Sequence, residues 1–215
     1  MYDALRTEVC LANKKLKENG LVRWTSGNVS CRIPDTNLVI IKPSGLDFDD
    51  LTPENMVIVD LDGNVVEGDL KPSVDTSSHL YVYKHKEDVG SVIHTHSPFA
   101  TSFAIAGISI PSYTTTAANV FKYSVPCSDF ASIGNEEIGR EIVENIGDSP
   151  AVLLKNHGVF TVGKTIDKAL KAAVILEETA EYAYYALQLN PTIKPLPHDV
   201  IEMCHDFYAT SYGQK

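Results

Sequence analysis

Three histidines in this sequence are spaced as metal ligands would be. His94 and His96 end one short apolar segment, and His157 follows a second, residues 151–154, and precedes Gly158. Side chains two residues apart on a strand point to the same face, so the imidazoles of the pair are expected to face one way. Three neutral imidazole nitrogens with one open position form the ligand set of a catalytic zinc ion. The sequence therefore predicts one zinc site from these three residues.

The remaining histidines have a more ordinary interpretation. A lone histidine is more often a hydrogen-bonded core or surface residue than a metal ligand. We assign that role to the four histidines outside the two motifs, which are His79, His85, His198 and His205.

Asp75 is a candidate fourth group at the metal site. It follows a small polar turn and precedes a predicted helix that runs to about Lys86. Its carboxylate can be a fourth ligand or a proton carrier, and beside Zn²⁺ its charged form is favoured until substrate displaces it. An aspartate after a turn can equally be a helix cap. Both interpretations stay open on the sequence.

Three turns rich in serine, glycine and asparagine are predicted to bind an anion together. They are residues 25–31, 42–45 and 71–76. Successive backbone N–H groups between small side chains form a nest for anions. The hydroxyls of Ser44 and Ser73, the amide of Asn28 and the charge of Lys42 can add to it. Each alone is an ordinary turn, but their repetition beside a candidate metal favours a phosphate pocket.

Zinc beside a phosphate pocket indicates chemistry on a phosphorylated sugar. As a Lewis acid, Zn²⁺ stabilises the oxyanion that develops when a carbon–carbon bond next to a carbonyl breaks. Retro-aldol cleavage has this requirement. The sequence therefore predicts an enzyme that acts on a small phosphorylated ketose, although another divalent ion can replace zinc in the cell.

The bulk properties are those of one globular domain. The chain has 215 residues, 44% hydrophobic and 21% charged, a length at which a single core is the default. We therefore predict one domain over residues 1–215. The sequence shows neither an apolar segment of membrane-spanning length nor the apolar stretch of a signal peptide, which predicts a cytoplasmic protein with no membrane partner.

Charge and cysteine placement exclude other classes of function. A net charge of −10 disfavours nucleic acid and anionic membranes as partners, because both require a basic surface. The cysteines are dispersed and form no Cys-x-x-Cys pair, which argues against a disulfide framework and a thiolate zinc site. We expect all four to be reduced: Cys10, Cys31, Cys127 and Cys204.

Strands interleaved with helices are predicted to position these groups, which indicates a layered α/β domain. Apolar periodicity and turn residues predict helices over residues 2–19, about 77–86, 98–106, 134–146, 165–189 and 198–208, with a short helix near 52–54. Strands are predicted near residues 28–31, 37–41, 56–61, 65–67 and 92–96, and a strand pair within 151–162. Residues 114–119 are left without an element, and residues 208–215 are expected to be a tail.

The ordered motifs resemble the class II aldolase/adducin family over nearly the whole chain. The motifs that carry the resemblance are Gly27-Asn28-Val29-Ser30, Lys42-Pro43-Ser44-Gly45, Pro72-Ser73-Val74-Asp75-Thr76, His94-Thr95-His96, Asn156-His157-Gly158 and Ser211-Tyr212-Gly213-Gln214. The resemblance implies a single three-layer α/β/α domain around a mostly antiparallel sheet. It also implies a homotetramer of fourfold symmetry with active sites at the subunit interfaces.

The resemblance also implies roles for individual residues. His94, His96 and His157 would bind zinc, with Asp75 as a further ligand or proton shuttle. Phosphate would be held by Gly27, Asn28, Ser44, Gly45 and Ser73. Val74 stands where relatives often have serine or glycine, so only its backbone N–H can help. Tyr212 would be an acid/base residue that acts at a neighbouring subunit's site.

The resemblance leaves the reaction open among three interpretations. The leading one is 4-epimerisation of L-ribulose 5-phosphate to D-xylulose 5-phosphate, favoured by Asp75-Thr76 and Tyr212-Gly213-Gln214. Asn119 departs from it, because an aspartate acid/base is expected there and an amide cannot transfer that proton. The second is an L-fuculose-1-phosphate-type aldolase releasing dihydroxyacetone phosphate, whose glutamate at position 75 and tyrosine near Thr115 are missing. The third is a non-catalytic, adducin-like interaction module.

Overall fold

The computed structural model describes residues 2–213, so Met1, Gln214 and Lys215 lie outside the described residues. Within this range the helices are α1 (Asp3–Glu18), α2 (Thr76–His85), α3 (Pro98–Ala106), α4 (Thr115–Phe121), α5 (Glu137–Asn145), α6 (Ile166–Leu189) and α7 (His198–Ser211). A short 3-10 helix covers Pro53–Asn55. Among residues 2–213, no helix combines the length and the apolar character needed to span a membrane.

One antiparallel sheet forms the centre of the molecule. Its strands are β1 (Asn28–Arg32), β2 (Leu38–Ile41), β3 (Val57–Asp60), β4 (Val65–Glu67), β5 (Ser91–Thr95), β8 (Ala151–Leu154) and β9 (Gly158–Gly163), in the order β4-β3-β2-β1-β5-β9-β8. All six pairings in this sheet are antiparallel. Two further short strands, β6 (Ile110–Pro111) and β7 (Ser124–Val125), pair with each other.

Helices cover both faces of the sheet. On one face, apolar residues that include Val29, Ile40 and Ile93 pack against α1 and the first half of α6. On the other face, residues that include Val92 and Phe160 pack against α2 and α5. Helices α3 and α4 join α6 over the β8–β9 end of the sheet. The predicted three-layer α/β/α architecture with a mostly antiparallel sheet is therefore confirmed.

The alternation of side chains along β5 determines where its first histidine points. Val92 packs in the layer that contains α2 and α5, whereas Ile93 packs in the opposite layer with α1. Because side chains alternate along a strand, His94 lies on the α2 side of the sheet. Asp75 immediately precedes α2, so the strand and the helix bring these two residues to the same side.

Two parts of the chain differ from the prediction. Residues 115–121, which the sequence left unassigned, form α4, because the Thr114 hydroxyl accepts from the Ala117 N–H at 3.1 Å and the helix buries Phe121. The predicted tail beginning at residue 208 was wrong for residues 208–211, which extend α7 to Ser211. The periodicity of apolar residues is weak at the end of α7 because this helix buries little apolar surface, with Ile201 as its buried residue.

Candidate functional site

His94 is held rigidly in the middle of the sheet. Its backbone pairs with Asn28 on β1 and with Phe160 on β9, and its ring stacks on the Phe160 ring with centroids 4.5 Å apart. The Nδ1 atom lies 3.0 Å from the carbonyl oxygen of Val159. Because a carbonyl can only accept, Nδ1 carries the proton and Nε2 presents a lone pair.

The other two predicted ligands converge on that lone pair. His96 follows β5, and its Nε2 lies 2.9 Å from the Nε2 of His94. His157 lies in the tight turn between β8 and β9. One nitrogen from each of the three imidazoles lies within 4.8 Å of the others, so the structure brings together the residues that the sequence predicted as a triad.

Backbone features of the β8–β9 turn allow His157 to lie close to His94 and His96. Asn156, just before His157, has a positive φ of 58°. Gly158, just after it, has no room for a side chain: a Cβ there would lie 2.6 Å from the Thr95 carbonyl oxygen and 2.7 Å from Cδ2 of His96. The glycine therefore allows the turn to pack directly against the other two histidines.

The triad fits a divalent cation. Burial lowers the pKa of His94 to about 3 and also lowers the pKa values of His96 and His157. All three rings are therefore neutral at pH 7, as metal ligands must be. The buried Nδ1 of His157 has no hydrogen-bond partner among the described residues, which leaves one imidazole nitrogen of the triad unsatisfied. A hydrogen bond on Nδ1 of His94, with Nε2 turned toward the other two imidazoles, is the arrangement expected of a zinc-ligating histidine.

Asp75 faces the site as a buried carboxylate. It occupies the N-cap position of α2 but its side chain makes no capping hydrogen bond; instead Asn28 Nδ2 donates to Asp75 Oδ2 at 2.7 Å. Burial alone would raise its pKa, but the neighbouring imidazoles of His94 and His79 and the Asn28 amide lower it overall. Of the two interpretations left open by the sequence, the side-chain cap is therefore wrong, and the carboxylate is available to the site.

The three predicted turns meet beside the triad and line one cavity of about 290 Å³. All the predicted site residues except Asn119 and Tyr212 line this cavity: Gly27, Asn28, Lys42, Ser44, Gly45, Ser73, Val74, Asp75, His94, His96 and His157. Thr25, Ser26 and Pro43, from the same turns, complete much of the wall. Ile133 also lines it, and no motif in the sequence signalled that residue.

The nest of backbone N–H groups is less complete than predicted. The N–H of Ser44 donates to the Lys71 carbonyl at 2.9 Å, and the N–H of Ser73 donates to the Lys42 carbonyl at 3.0 Å. These bonds tie two of the turns together, so neither N–H is free for an anion. The Ser73 hydroxyl accepts from Asn28 Nδ2 at 2.9 Å, and its own O–H makes only a long contact of 3.5 Å to Asp75 Oδ2, so it remains able to donate to an anion.

Lys42 is the cation of the cavity. Only 2% of its surface is exposed, its Nζ donates to the Thr25 carbonyl at 3.2 Å, and it lies 4.7 Å from the centre of the Phe48 ring. Burial lowers its pKa to about 8, although the charges of Asp47 and Asp75 oppose the shift. At pH 7 the cavity therefore holds a charged ammonium group with little water around it, which strengthens its attraction for an anion.

Asn119 and Tyr212 lie elsewhere in the chain. With its amide nitrogen turned toward α7, Asn119 donates to the carbonyl oxygens of Cys204 at 2.9 Å and Thr115 at 3.2 Å. Tyr212 ends α7 with 63% of its surface exposed, and its ring centre lies 5.4 Å from Nζ of Lys171. Neither residue reaches the cavity of its own chain.

The lone histidines are hydrogen-bonded as the sequence predicted in three cases. His79 is fully buried, with its Nδ1 2.7 Å from the Ser30 hydroxyl. His85 bonds the Tyr81 carbonyl at 2.8 Å, and His205 bonds the Asn119 carbonyl at 3.2 Å. His198 instead stacks on a tyrosine ring at the start of α7.

Comparison with known proteins finds a matching family model and a relative that is similar over most of its length. The family model described as "Class II Aldolase and Adducin N-terminal domain" matches residues 7–184. An L-ribulose-5-phosphate 4-epimerase of Salmonella paratyphi C (strain RKS4594) is 38% identical over 205 residues, which cover 89% of this chain and 89% of that protein.

Solved structures are similar over nearly the full length. An L-fuculose 1-phosphate aldolase superimposes with a TM-score of 0.90 and 28% sequence identity, covering 96% of both chains. YgbL of Escherichia coli superimposes with a TM-score of 0.83 and 26% identity, covering 94% of this chain and 98% of that one.

Proposed function

Because this chain belongs to the class II aldolase and adducin family, we propose that it catalyses zinc-dependent retro-aldol and aldol chemistry on a phosphorylated ketose. The reaction that we propose is 4-epimerisation of L-ribulose 5-phosphate to D-xylulose 5-phosphate. The observation that carries the proposal is the convergence of the His94, His96 and His157 nitrogens in the wall of a cavity that also contains a buried lysine. The 38% identity to an L-ribulose-5-phosphate 4-epimerase supports this choice of substrate.

The three imidazoles would hold the metal ion. Bound there, Zn²⁺ would supply Lewis acidity for the oxyanion that develops when the carbon–carbon bond breaks. The hydrogen bond from His94 to the Val159 carbonyl fixes the ring that would carry the first ligand nitrogen. His96 and His157 would complete the set.

Asp75 would be a further ligand or the proton carrier next to the metal. Asn28 fixes the orientation of its carboxylate, and the lowered pKa keeps it charged and ready to accept a proton at neutral pH. A substrate hydroxyl that enters the cavity would meet this carboxylate beside the imidazoles. The sheet and α2 hold both groups in place before substrate arrives.

The phosphate group would bind near Lys42, in the same cavity. Lys42 supplies the positive charge, and Ser44, Gly45, Gly27, Ser73 and Val74 supply small polar or backbone surface around it. Gly27 lets its turn pack directly against Val22 and β5, since a Cβ there would lie 2.5 Å from Cγ1 of Val22 and 2.9 Å from the His94 carbonyl oxygen. The charge of Lys42 would attract phosphate locally even though the whole chain has a net charge of −10.

We propose that Tyr212 transfers a proton in a neighbouring subunit of a homotetramer. The exposed position of Tyr212 outside the cavity of its own chain supports a site completed between subunits. Asn119 would then serve as an attachment point for α7, which carries Tyr212, and not as the acid/base residue expected at its position.

Substrate turnover distinguishes the epimerase from the aldolase. Incubation of the purified protein with L-ribulose 5-phosphate should yield D-xylulose 5-phosphate without net cleavage. Release of dihydroxyacetone phosphate from L-fuculose 1-phosphate, with no epimerisation, would instead select the aldolase. Metal analysis after purification without chelator tests the third interpretation, because a protein free of bound metal and inactive on both substrates would favour an adducin-like interaction module.

We propose a cytoplasmic location for this activity, with the phosphorylated ketose as its small-molecule partner and neither nucleic acid nor membrane as a partner. The proposed reaction on a phosphorylated sugar supports the cytoplasmic location. The acidic composition argues against nucleic acid and anionic membranes as partners. Cell fractionation followed by immunodetection tests it.

A further inference from the structure

Helix α3 begins immediately after the second histidine of the triad. His96 is followed by Ser97, which is the N-cap residue of α3, yet the Ser97 hydroxyl makes no capping hydrogen bond. The first N–H groups of a helix have no partner within the helix and need one from outside. Glu177 on α6 provides it, because its two carboxylate oxygens accept from the N–H groups of Phe99 at 2.8 Å and Ala100 at 2.9 Å.

The other end of α3 contacts the turn that carries the third histidine. The carbonyl oxygen of Ala104 accepts a hydrogen bond from the N–H of Asn156 at 3.3 Å, and Asn156 directly precedes His157. The side chains of Ala100 and Ala104 are fully buried in the cluster that contains Val159 of β9. Helix α3 therefore connects the segment that holds His96 to the turn that holds His157.

A carboxylate is well suited to fix such a helix. The N-terminus of a helix carries a partial positive charge, and an anion that bonds two of its N–H groups is favoured both electrostatically and by hydrogen bonding. Two parallel bonds from one carboxylate also restrict how the helix can slide or rotate relative to α6. Asn156, with its positive φ, is the kind of strained position that persists only when its surroundings hold it.

We propose that Glu177 is a positioning residue of the metal site: by fixing the N-terminus of α3 it sets the separation of His96 and His157. This inference rests on the proposed metal site. Glu177 does not line the cavity, so its effect would pass through α3 and not through contact with substrate or metal. A helix cap with a purely structural role would instead change stability and leave the affinity of the folded protein for metal unchanged.

The test is the metal affinity of Glu177→Gln. Glutamine keeps the size of the side chain but offers only one acceptor oxygen, so one of the two N–H groups loses its partner. The matched control is Glu178→Gln on the same helix, whose carboxylate accepts from the Tyr182 hydroxyl at 3.0 Å on the exposed side. Zinc affinity is measured by competition with a chelator, at a temperature where circular dichroism shows every metal-free protein to be folded.

Glu177→Gln is expected to bind zinc about tenfold more weakly than the wild type, the size of effect typical of groups that orient metal ligands, and Glu178→Gln within twofold of it. Equal affinity in the wild type and Glu177→Gln would overturn the role of Glu177 alone. Absence of zinc binding in the wild type would overturn the proposed metal site itself.

A second measurement needs no variant. Coupling between two sites is reciprocal, so zinc bound at the triad must stabilise the capped end of α3 if the cap stabilises the triad. Amide hydrogen exchange in the wild type should therefore slow at Phe99 and Ala100 when zinc is added. Unchanged exchange at both amides under saturating zinc would overturn the proposal.

Discussion

Asn28 and Asp75 are joined by a buried hydrogen bond of 2.7 Å from the amide nitrogen to the carboxylate. Asn28 is the first residue of β1 and pairs with His94 on β5, whereas Asp75 precedes α2. The amide of Asn28 therefore links the strand next to His94 to the carboxylate of Asp75. Together with the neighbouring imidazoles of His94 and His79, this bond lowers the pKa of a carboxyl group that has only 8% of its surface exposed.

Replacing Asn28 should move the acidic limb of the pH–rate profile. The amide stabilises the charged form of Asp75, so Asn28→Ala should raise the pKa of that carboxyl group. Activity that needs the carboxylate is present above this pKa and lost as pH falls through it, so the limb should shift to higher pH. The measurement is kcat/KM from pH 2.5 to 8, because the lowered pKa of Asp75 places the wild-type limb below pH 4, with the exposed Asn19→Ala as the control. An unshifted limb would remove Asn28 from this role.

Adding a single methyl group at Gly158 should disrupt the triad. Gly158→Ala would place a Cβ 2.6 Å from the Thr95 carbonyl and 2.7 Å from His96, so the turn that carries His157 must move. We expect zinc affinity to fall by about tenfold or more. The control is Gly147→Ala, which has a positive φ but open space, and should cost about 1 kcal/mol of stability without changing zinc affinity. Zinc affinity equal in both variants would contradict the prediction.

Phosphate binding should weaken as Lys42 loses its proton. Burial lowers the pKa of Lys42 to about 8, so in the free protein its charge is present below that pH and lost above it. Inorganic phosphate stays a dianion over this range, and its affinity, measured by calorimetry, should therefore fall above pH 8 by at most about tenfold per pH unit.

Lys42→Met should bind phosphate weakly at every pH, and the surface variant Lys17→Met should keep the wild-type profile. Affinity that holds constant up to pH 10 in the wild type would show that Lys42 does not supply the charge.

Removing the Tyr212 hydroxyl should show whether this residue transfers a proton or only packs against its neighbours. Tyr208 and Tyr212 have adjacent rings, 4.9 Å apart, and both lie over Nζ of Lys171. If Tyr212 transfers a proton, Tyr212→Phe should reduce kcat by about 100-fold or more. Tyr208→Phe, which makes the same change one helical turn earlier, should stay within threefold of the wild type. Equal turnover in the two variants would exclude Tyr212 from the chemistry.

The oligomeric state gives a further test of this tyrosine. A site shared between subunits predicts that mixing Tyr212→Phe with His94→Asn, each strongly impaired alone, raises activity above that of either variant when mixed oligomers form. Complementation arises because some interfaces then combine an intact triad from one subunit with an intact tyrosine from the other. Mixed oligomers without recovered activity would show that the triad and Tyr212 act within the same chain.

Local patterns determined much of this fold and site. The period of apolar residues predicted α1 and α6 closely, because each buries one face, and Pro98 correctly marked the start of α3. The His-x-His spacing at the end of a strand was enough to predict that the imidazoles of His94 and His96 lie together, since alternation along a strand is fixed by backbone geometry. Segments with weaker patterns were less predictable: α4 is short, and α7 buries little apolar surface.

The sequence by itself determined which chemical groups are present and which face of a strand or helix each one occupies. Only the tertiary structure decided which of those groups already have partners: the N–H groups of Ser44 and Ser73 are used between turns, Asn119 bonds to α7, and Glu177 caps α3. The physical reason is that periodicity follows from local backbone geometry, whereas a hydrogen bond between residues 78 positions apart depends on how the elements pack.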